Sequence, residues 1–256
     1  MRKIITWLSD KELDLIYTSS YWNDIEEEKK KEWWIEDGNY QKCLNYLKKS
    51  KLIDEYRASE KFVKNFPSTE IKILDLAAGI GWTSALLSKL EQVKEVHALE
   101  ISKHRLDSLF EHSVKMLSGK EDKIFRYLGS FYDLNIEDKS IDIIYMSQAF
   151  HHANKPFNLL SECDRVLKSN GRILLVGEHY INIRKQIRRF LSILIKQRKA
   201  ISNFYEMFKP DPVLGDHYYR CSDYYFMFNA LGYDLQHQKL ESGNIIYIAD
   251  KKVESL

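Results

Sequence analysis

Asp75-Leu-Ala77-Ala-Gly79-Ile-Gly81 lies between an apolar run, Ile71 to Leu76, and a segment of helical character, Ser84 to Leu90. Two glycines let the chain turn tightly and bring backbone close to a ligand without a Cβ in the way. Ligands of open α/β sheets bind at such carboxyl ends of buried strands. Glu100 closes the next apolar run, 19 residues beyond Gly81, where an acidic side chain can accept hydrogen bonds from both hydroxyls of a ribose. The chemistry implied is recognition of a nucleoside-containing ligand. A pyrophosphate fits poorly, because the third glycine of G-x-G-x-x-G falls at Ser84 and Asp75 adds negative charge where a helix N-terminus would otherwise hold phosphate. A cationic ligand suits that carboxylate better.

Three histidines are placed for proton transfer. His151 and His152 follow the run Ile141 to Ser147, and His217 lies in Gly215-Asp-His-Tyr-Tyr-Arg-Cys-Ser-Asp-Tyr224. Imidazole titrates near neutrality and can take a proton from an acceptor hydroxyl. His217 and His152 are the candidate bases, while His151 reads better as packing or cofactor positioning. The three cysteines, Cys43, Cys163 and Cys221, are far apart and odd in number, which points to reduced thiols and not to disulfides or zinc. No set of metal ligands stands out by spacing, so none is expected.

The elements that must position these residues begin at Pro67. From there short apolar runs alternate with longer amphipathic ones, the pattern of βαβ units around a parallel sheet. The strands expected are Ile71 to Leu76, Val96 to Leu99, Ile124 to Leu128, Ile141 to Ser147, Arg172 to Val176, Leu235 to Leu240 and Ile245 to Ala249. The last two are joined by Glu241-Ser-Gly-Asn244, too short for a crossover helix, so they form an antiparallel hairpin. The fold class is therefore doubly wound α/β, with a seven-stranded, mostly parallel sheet ending in an antiparallel C-terminal hairpin strand. Residues 1–66 carry helical spacing over Tyr40 to Leu52 and Ile53 to Phe66 and read as a helical cap on a ligand-binding domain, 67–256. Residues 178–221 are too long for a plain connection and read as a substrate-binding insertion.

Within that insertion, Ile183, Ile187, Phe190, Leu191, Leu194 and Ile195 share one helical stripe. Arg184, Lys185, Arg188, Arg189, Lys196, Arg198 and Lys199 oppose it. Such a segment, 183–199, suits a lid helix, an anionic or lipid-linked substrate, or peripheral contact with an anionic membrane. Over the whole chain 39 basic residues nearly balance 37 acidic ones. With no recognisable nucleic-acid module, nucleic acid is not the expected partner. No signal-type or membrane-spanning apolar run is present, and a cytoplasmic location is expected.

Asp75-x-x-x-Gly79-x-Gly81 resembles the first motif of class I methyltransferases that use S-adenosylmethionine (SAM), in particular the small-molecule, type 11-like members, and the likeness runs over roughly residues 70–177. Asp138 to His152 is similar to that family's fourth-strand motif, and Leu159 to Gly171 to the helix and turn before its fifth strand. The resemblance implies a Rossmann-like domain with SAM as cofactor. It places Asp75, Ala77, Gly79 and Gly81 beside the methionine part, Glu100 and Ile101 at the ribose, Ser130 and Phe131 near the adenine, and Ser147 at the cleft. Ala77 stands where many relatives have glycine, and Ser130 where an aspartate often contacts adenine. The aromatics Tyr21, Trp22, Trp33, Trp34 and Tyr40 could close over the sulfonium by cation–π attraction. The expected activity is methyl transfer to an oxygen of a sugar, lipid-linked or natural-product intermediate. The alternatives are a nicotinamide-dependent oxidoreductase and a non-catalytic scaffold of the same fold.

Overall fold

The computed structural model describes residues 1–19, 24–35, 38–181, 184, 187–188, 191–192, 195 and 216–252. The central strands are β2 (Ile71–Leu76), β3 (Val93–Glu100), β4 (Ile124–Leu128), β5 (Ile141–Ser147) and β6 (Leu167–Glu178), preceded by β1 (Ile5–Thr6) and followed by β7 (Tyr233–Lys239) and β8 (Ile245–Lys251). The sheet order is β1-β4-β3-β2-β5-β6-β8-β7. All neighbours through β6 run parallel, whereas β8 is antiparallel to both β6 and β7.

The eighth strand is a correction to the expected seven. Ile5 and Thr6 pair with Tyr127 and Leu128, and two residues are too few to show any period in the sequence. The C-terminal hairpin also inserts differently from a simple terminal reversal: β8 lies between β6 and β7, leaving β7 as the edge. Its turn is closed by Gly243 N–H to Leu240 O at 3.0 Å, with Gly243 at φ +88°.

Strand β2 is buried at five of its six positions and β5 at six of seven, the near-continuous burial of parallel strands covered on both faces. One face is packed by α3 (Tyr40–Lys49), α4 (Leu52–Lys64), α5 (Trp82–Leu87) and α6 (Phe110–Met116), whose Cys43, Leu47, Tyr56, Val63, Ala85 and Phe110 share a core with the sheet. The other is packed by α7 (Pro156–Val166) and α8 (Cys221–Ala230) through Leu159, Cys163, Tyr224 and Phe228. Helices α3 and α4 thus belong to the same core as β2, and Ser59 of α4 hydrogen-bonds Tyr145 of β5 at 2.8 Å. Two further helices, α1 (Asp10–Ser19) and α2 (Ile25–Lys29), complete the N-terminal part.

Of the basic segment 183–199, residues 184, 187, 188, 191, 192 and 195 are described and helical. Ile187, Leu191 and Ile195 are exposed; the rest of the stripe, like Tyr21 and Trp22, lies outside the described residues. Among the described residues no helix is long and apolar enough to cross a membrane.

Candidate active site

At the carboxyl ends of β2, β3, β4 and β5 the chain encloses a cavity of about 500 Å³, within the size range of small-molecule sites. Its floor is the turn after β2. Ala77, Gly79 and Gly81 all have positive φ, at +55°, +57° and +79°; for Ala77 this is a strained conformation held by its surroundings, as is common at functional sites. Gln148, on the same wall after β5, is likewise at φ +49°. The turn is pinned to β3 by Ala78 N–H to Leu99 O at 2.9 Å.

Glu100 is 3% exposed. Its Oε2 accepts from Gly79 N–H at 2.8 Å, and its Oε1 from Ile101 N–H and Ser102 N–H at 2.9 Å each. A carboxylate offers about four acceptor directions, so the side chain locks the turn and still keeps one direction for a ligand. Ala77, Gly79, Glu100, Ile101, Ser130, Phe131 and Ser147 all line the cavity.

Asp75 and Gly81 are not on that wall. Asp75 is buried beneath the turn, where it accepts from Thr83 Oγ1 at 2.6 Å and Ser84 Oγ at 2.5 Å. Its carboxylate serves the first turn of α5, whose exposed N–H groups attract negative charge. Gly81 packs against the ring of Phe110.

The opposite side of the cavity comes from the N-terminal part, with Glu28, Trp33, Tyr46 and Leu52 among its lining residues. Glu28, 1% exposed, accepts from His104 Nε2 at 2.5 Å and from Arg105, both Nε at 2.9 Å and the terminal nitrogen. Trp33 lies over the Arg105 guanidinium at 5.2 Å. Burial would raise the Glu28 carboxyl, but His104 and Arg105 more than offset it and hold it below its ordinary range. Trp34 and Tyr40 instead pack against His104 and His112 in tilted pairs, with ring centroids 6.2 Å apart in each.

The remaining end holds the histidines. His152 lines the cavity, with its Nδ1 3.1 Å from Asp216 Oδ1. His151 is buried behind it; its Nδ1–H donates to Glu178 Oε2 at 2.9 Å, and its Nε2 lies 3.8 Å from Asp216 Oδ1. Burial alone would lower the His151 pKa, but the charge of Glu178, its hydrogen bond and Asp216 together hold it above the ordinary value. His217 is not part of the cavity lining. Its backbone N–H donates to His151 O at 2.7 Å, and its Nε2 contacts Oδ1 of Asn154, a lining residue, at 2.7 Å.

Residues 74–175 match the methyltransferase domain family. They form a class I, SAM-dependent methyltransferase domain. Curated relatives include a sarcosine/dimethylglycine N-methyltransferase of Aphanothece halophytica, 33% identical over 43% of this chain and 38% of that protein. A malonyl-[acyl-carrier protein] O-methyltransferase of Methylococcus capsulatus is 32% identical over 40% of this chain and 35% of that one. The chain thus spans little more than a third of the length of either. Among solved structures, the YcgJ protein of Bacillus subtilis superposes with a TM-score of 0.57 at 19% identity, covering 77% of this chain and 99% of that one, a likeness of fold.

The sequence pointed to the glycine turn and Glu100 but not to Glu28, Arg105, Glu178 or Asp216. Each of these acts on a partner far along the chain, and no local spacing marks such a pair. Asp75 supplies a pH signature. Burial raises its carboxyl to about 6, against hydrogen bonds from Ser84 and Thr83 that lower it. Its folded pKa lies above the unfolded one, so the native state binds the extra proton and stability falls as pH rises from about 4 to about 6. An Asp75→Asn variant is expected to lose that slope and to melt at least as high as the parent at pH 8. Thermal melts over pH 4–8 check this; an unchanged slope would remove Asp75 as its source.

Proposed function

We propose that this chain transfers a methyl group from SAM to an oxygen of a small acceptor. The observation that carries the reading is one cavity lined both by Glu100 with the glycine turn and by His152, which Asp216 approaches at 3.1 Å. The residues present fit the cofactor: Glu100 keeps one acceptor direction for a ribose hydroxyl, and Ser130 and Phe131 line the wall assigned to adenine. Ala77 and Gly79 bring bare backbone to the methionine side. When bound, SAM would supply an electrophilic methyl group, and the chain's own residues would orient the acceptor in line with it and exclude water.

A hydroxyl acceptor must shed a proton, and His152, whose Nδ1 lies 3.1 Å from Asp216 Oδ1, is the group on the wall that would receive it. His217 then acts as a positioning residue through Asn154. Burial first of all keeps its imidazole below the ordinary pKa, so at neutral pH it is uncharged and able to donate to the Asn154 oxygen. Residues 1–66 would cap the cofactor end and residues 178–221 would form the acceptor side. An anionic or lipid-linked acceptor is supported by the basic residues of 183–199, and a cytoplasmic location by the free thiols of Cys43, Cys163 and Cys221.

The first experiment is calorimetric titration with SAM, S-adenosylhomocysteine and NADH, followed by labelled methyl transfer to a panel of carboxylates, alcohols, phenols and secondary amines. Binding of the adenosyl ligands alone supports the reading, whereas NADH binding alone would replace it with hydride transfer. His152→Ala is expected to lower turnover on an oxygen acceptor about 10²–10⁴-fold while SAM affinity stays near the parent value. His217→Ala should act more weakly, mainly on acceptor KM. Undiminished turnover in His152→Ala, or transfer to amines alone, would remove the oxygen–base assignment.

A further inference from the structure

We propose that His151, His152 and Asp216 form a binding site for one divalent transition-metal ion of the zinc class. The inference stands on donor geometry and does not depend on the acceptor being an oxygen. His151, His152 and Asp216 can each offer one donor atom such that all three lie within 4.8 Å of one another. The separations of His152 Nδ1 and His151 Nε2 from Asp216 Oδ1, 3.1 and 3.8 Å, bracket the roughly 3.4 Å between ligands bonded at about 2.1 Å in a tetrahedral site. Two imidazoles and one carboxylate favour zinc or its neighbours over magnesium or calcium, which take oxygen ligands.

The support behind the donors is that of a metal site. Metal-bound histidines commonly give their second ring N–H to a carboxylate, which fixes the tautomer. His151 does this with Glu178, leaving Nε2 as the lone-pair nitrogen that faces Asp216. Glu178 is fully buried and is itself held by Ala149 N–H at 3.2 Å, Phe150 N–H at 3.1 Å and Tyr224 O–H at 2.8 Å. The Asp216 Oδ1 atom is buried and accepts no hydrogen bond, its approach to His152 lacking the required geometry.

Charge balance points the same way. Two carboxylates, Glu178 and Asp216, meet at one pair of imidazoles, and among the described residues neither forms an ion pair with lysine or arginine. The other groups nearby, the His179 ring at 4.9 Å and the Tyr224 hydroxyl, carry no fixed positive charge. A divalent cation would neutralise the cluster. Three protein ligands are also the number found at catalytic ions, which keep one position for substrate. Because His152 borders the cavity, the class of ligand for that position is an acceptor bearing an anionic oxygen. With the ion bound, His152 would be a ligand and no longer a free base, and the metal would instead make the acceptor easier to deprotonate by lowering its pKa.

The test uses the full chain after treatment with a chelator, titrated calorimetrically with Zn²⁺ and with Mg²⁺ in the absence of SAM. One zinc per chain is expected, bound at least tenfold more tightly than magnesium. Asp216→Ala and His152→Ala should each weaken zinc binding by more than tenfold, and Glu178→Gln by about 10–100-fold. His237→Ala, at an exposed histidine of β7, should leave binding unchanged. Asp216 sits in a non-helical segment, so its variant is expected to keep the parent circular dichroism even if Glu178→Gln does not fold. Absence of stoichiometric zinc binding, or full-strength binding by Asp216→Ala, would overturn the proposal. Neither result bears on SAM binding, which is measured separately.

Discussion

Glu100→Ala is expected to weaken SAM binding about 100-fold, a loss of roughly 3 kcal/mol, and to lower the melting temperature as well. The carboxylate does two jobs. One acceptor direction faces the cavity, where a ribose hydroxyl would bind; the others take the N–H groups of Gly79, Ile101 and Ser102. Removing it leaves three backbone donors at the cavity edge, each costing about 1–3 kcal/mol if water cannot reach it. It also frees the Gly79 turn from β3. Glu100→Gln keeps one acceptor oxygen but turns an amide N–H₂ toward backbone donors, so its loss should be intermediate, about tenfold. Calorimetry with SAM and thermal melts of the three proteins check both parts. Parent-like affinity in Glu100→Ala would show that the carboxylate only holds the loop.

Gly81→Ala is expected to be the most damaging single-methyl change in the turn. Gly81 has φ +79°, which costs an L-residue roughly 1–2 kcal/mol, and an added Cβ would come within 3.0 Å of the ring of Phe110. Phe110, at the start of α6, is fully buried, so it can yield only by repacking, at about 1–3 kcal/mol. Together these predict a loss of about 3 kcal/mol, or roughly 6–12 °C in melting temperature for a chain of this size. Gly79→Ala separates the two causes. Its φ is +57°, but nothing lies within 4 Å of an added Cβ, so it should lose only the conformational part, about 1 kcal/mol, with its main effect on cofactor affinity. Equal losses in the two variants would mean that the contact with Phe110 carries no weight.

The strands that frame the cofactor end were legible in the sequence. The expected and observed bounds agree for Ile71–Leu76, Ile124–Leu128 and Ile141–Ser147, because strands inside a parallel sheet must be apolar on both faces and stand out as short runs. At the margins the signal fades. β6 reaches back to Leu167 through Lys168-Ser-Asn-Gly171, where pairing of Leu167 with Ile141 overrides a polar stretch, and β1 is too short to carry a pattern.

The same division holds in the site. The glycine turn and Glu100 could be read because a parallel βαβ unit uses backbone and one strand-end side chain, all close in the chain, to meet its ligand. Asp75 was expected beside the cofactor, but the tertiary fold turned its carboxylate under α5, onto Thr83 and Ser84 and away from the cavity lining. His217 was visible as a loop histidine. Only the fold decided that its backbone would anchor His151 while its neighbour Asp216 faced His152, since adjacent side chains of a non-helical segment point apart. Glu178 reaches His151 from 27 residues away and Glu28 reaches Arg105 from 77. Local sequence specifies which residues end a strand or permit a turn; which charges then meet across the sheet is set by strand order and crossover, and those are products of the packed core.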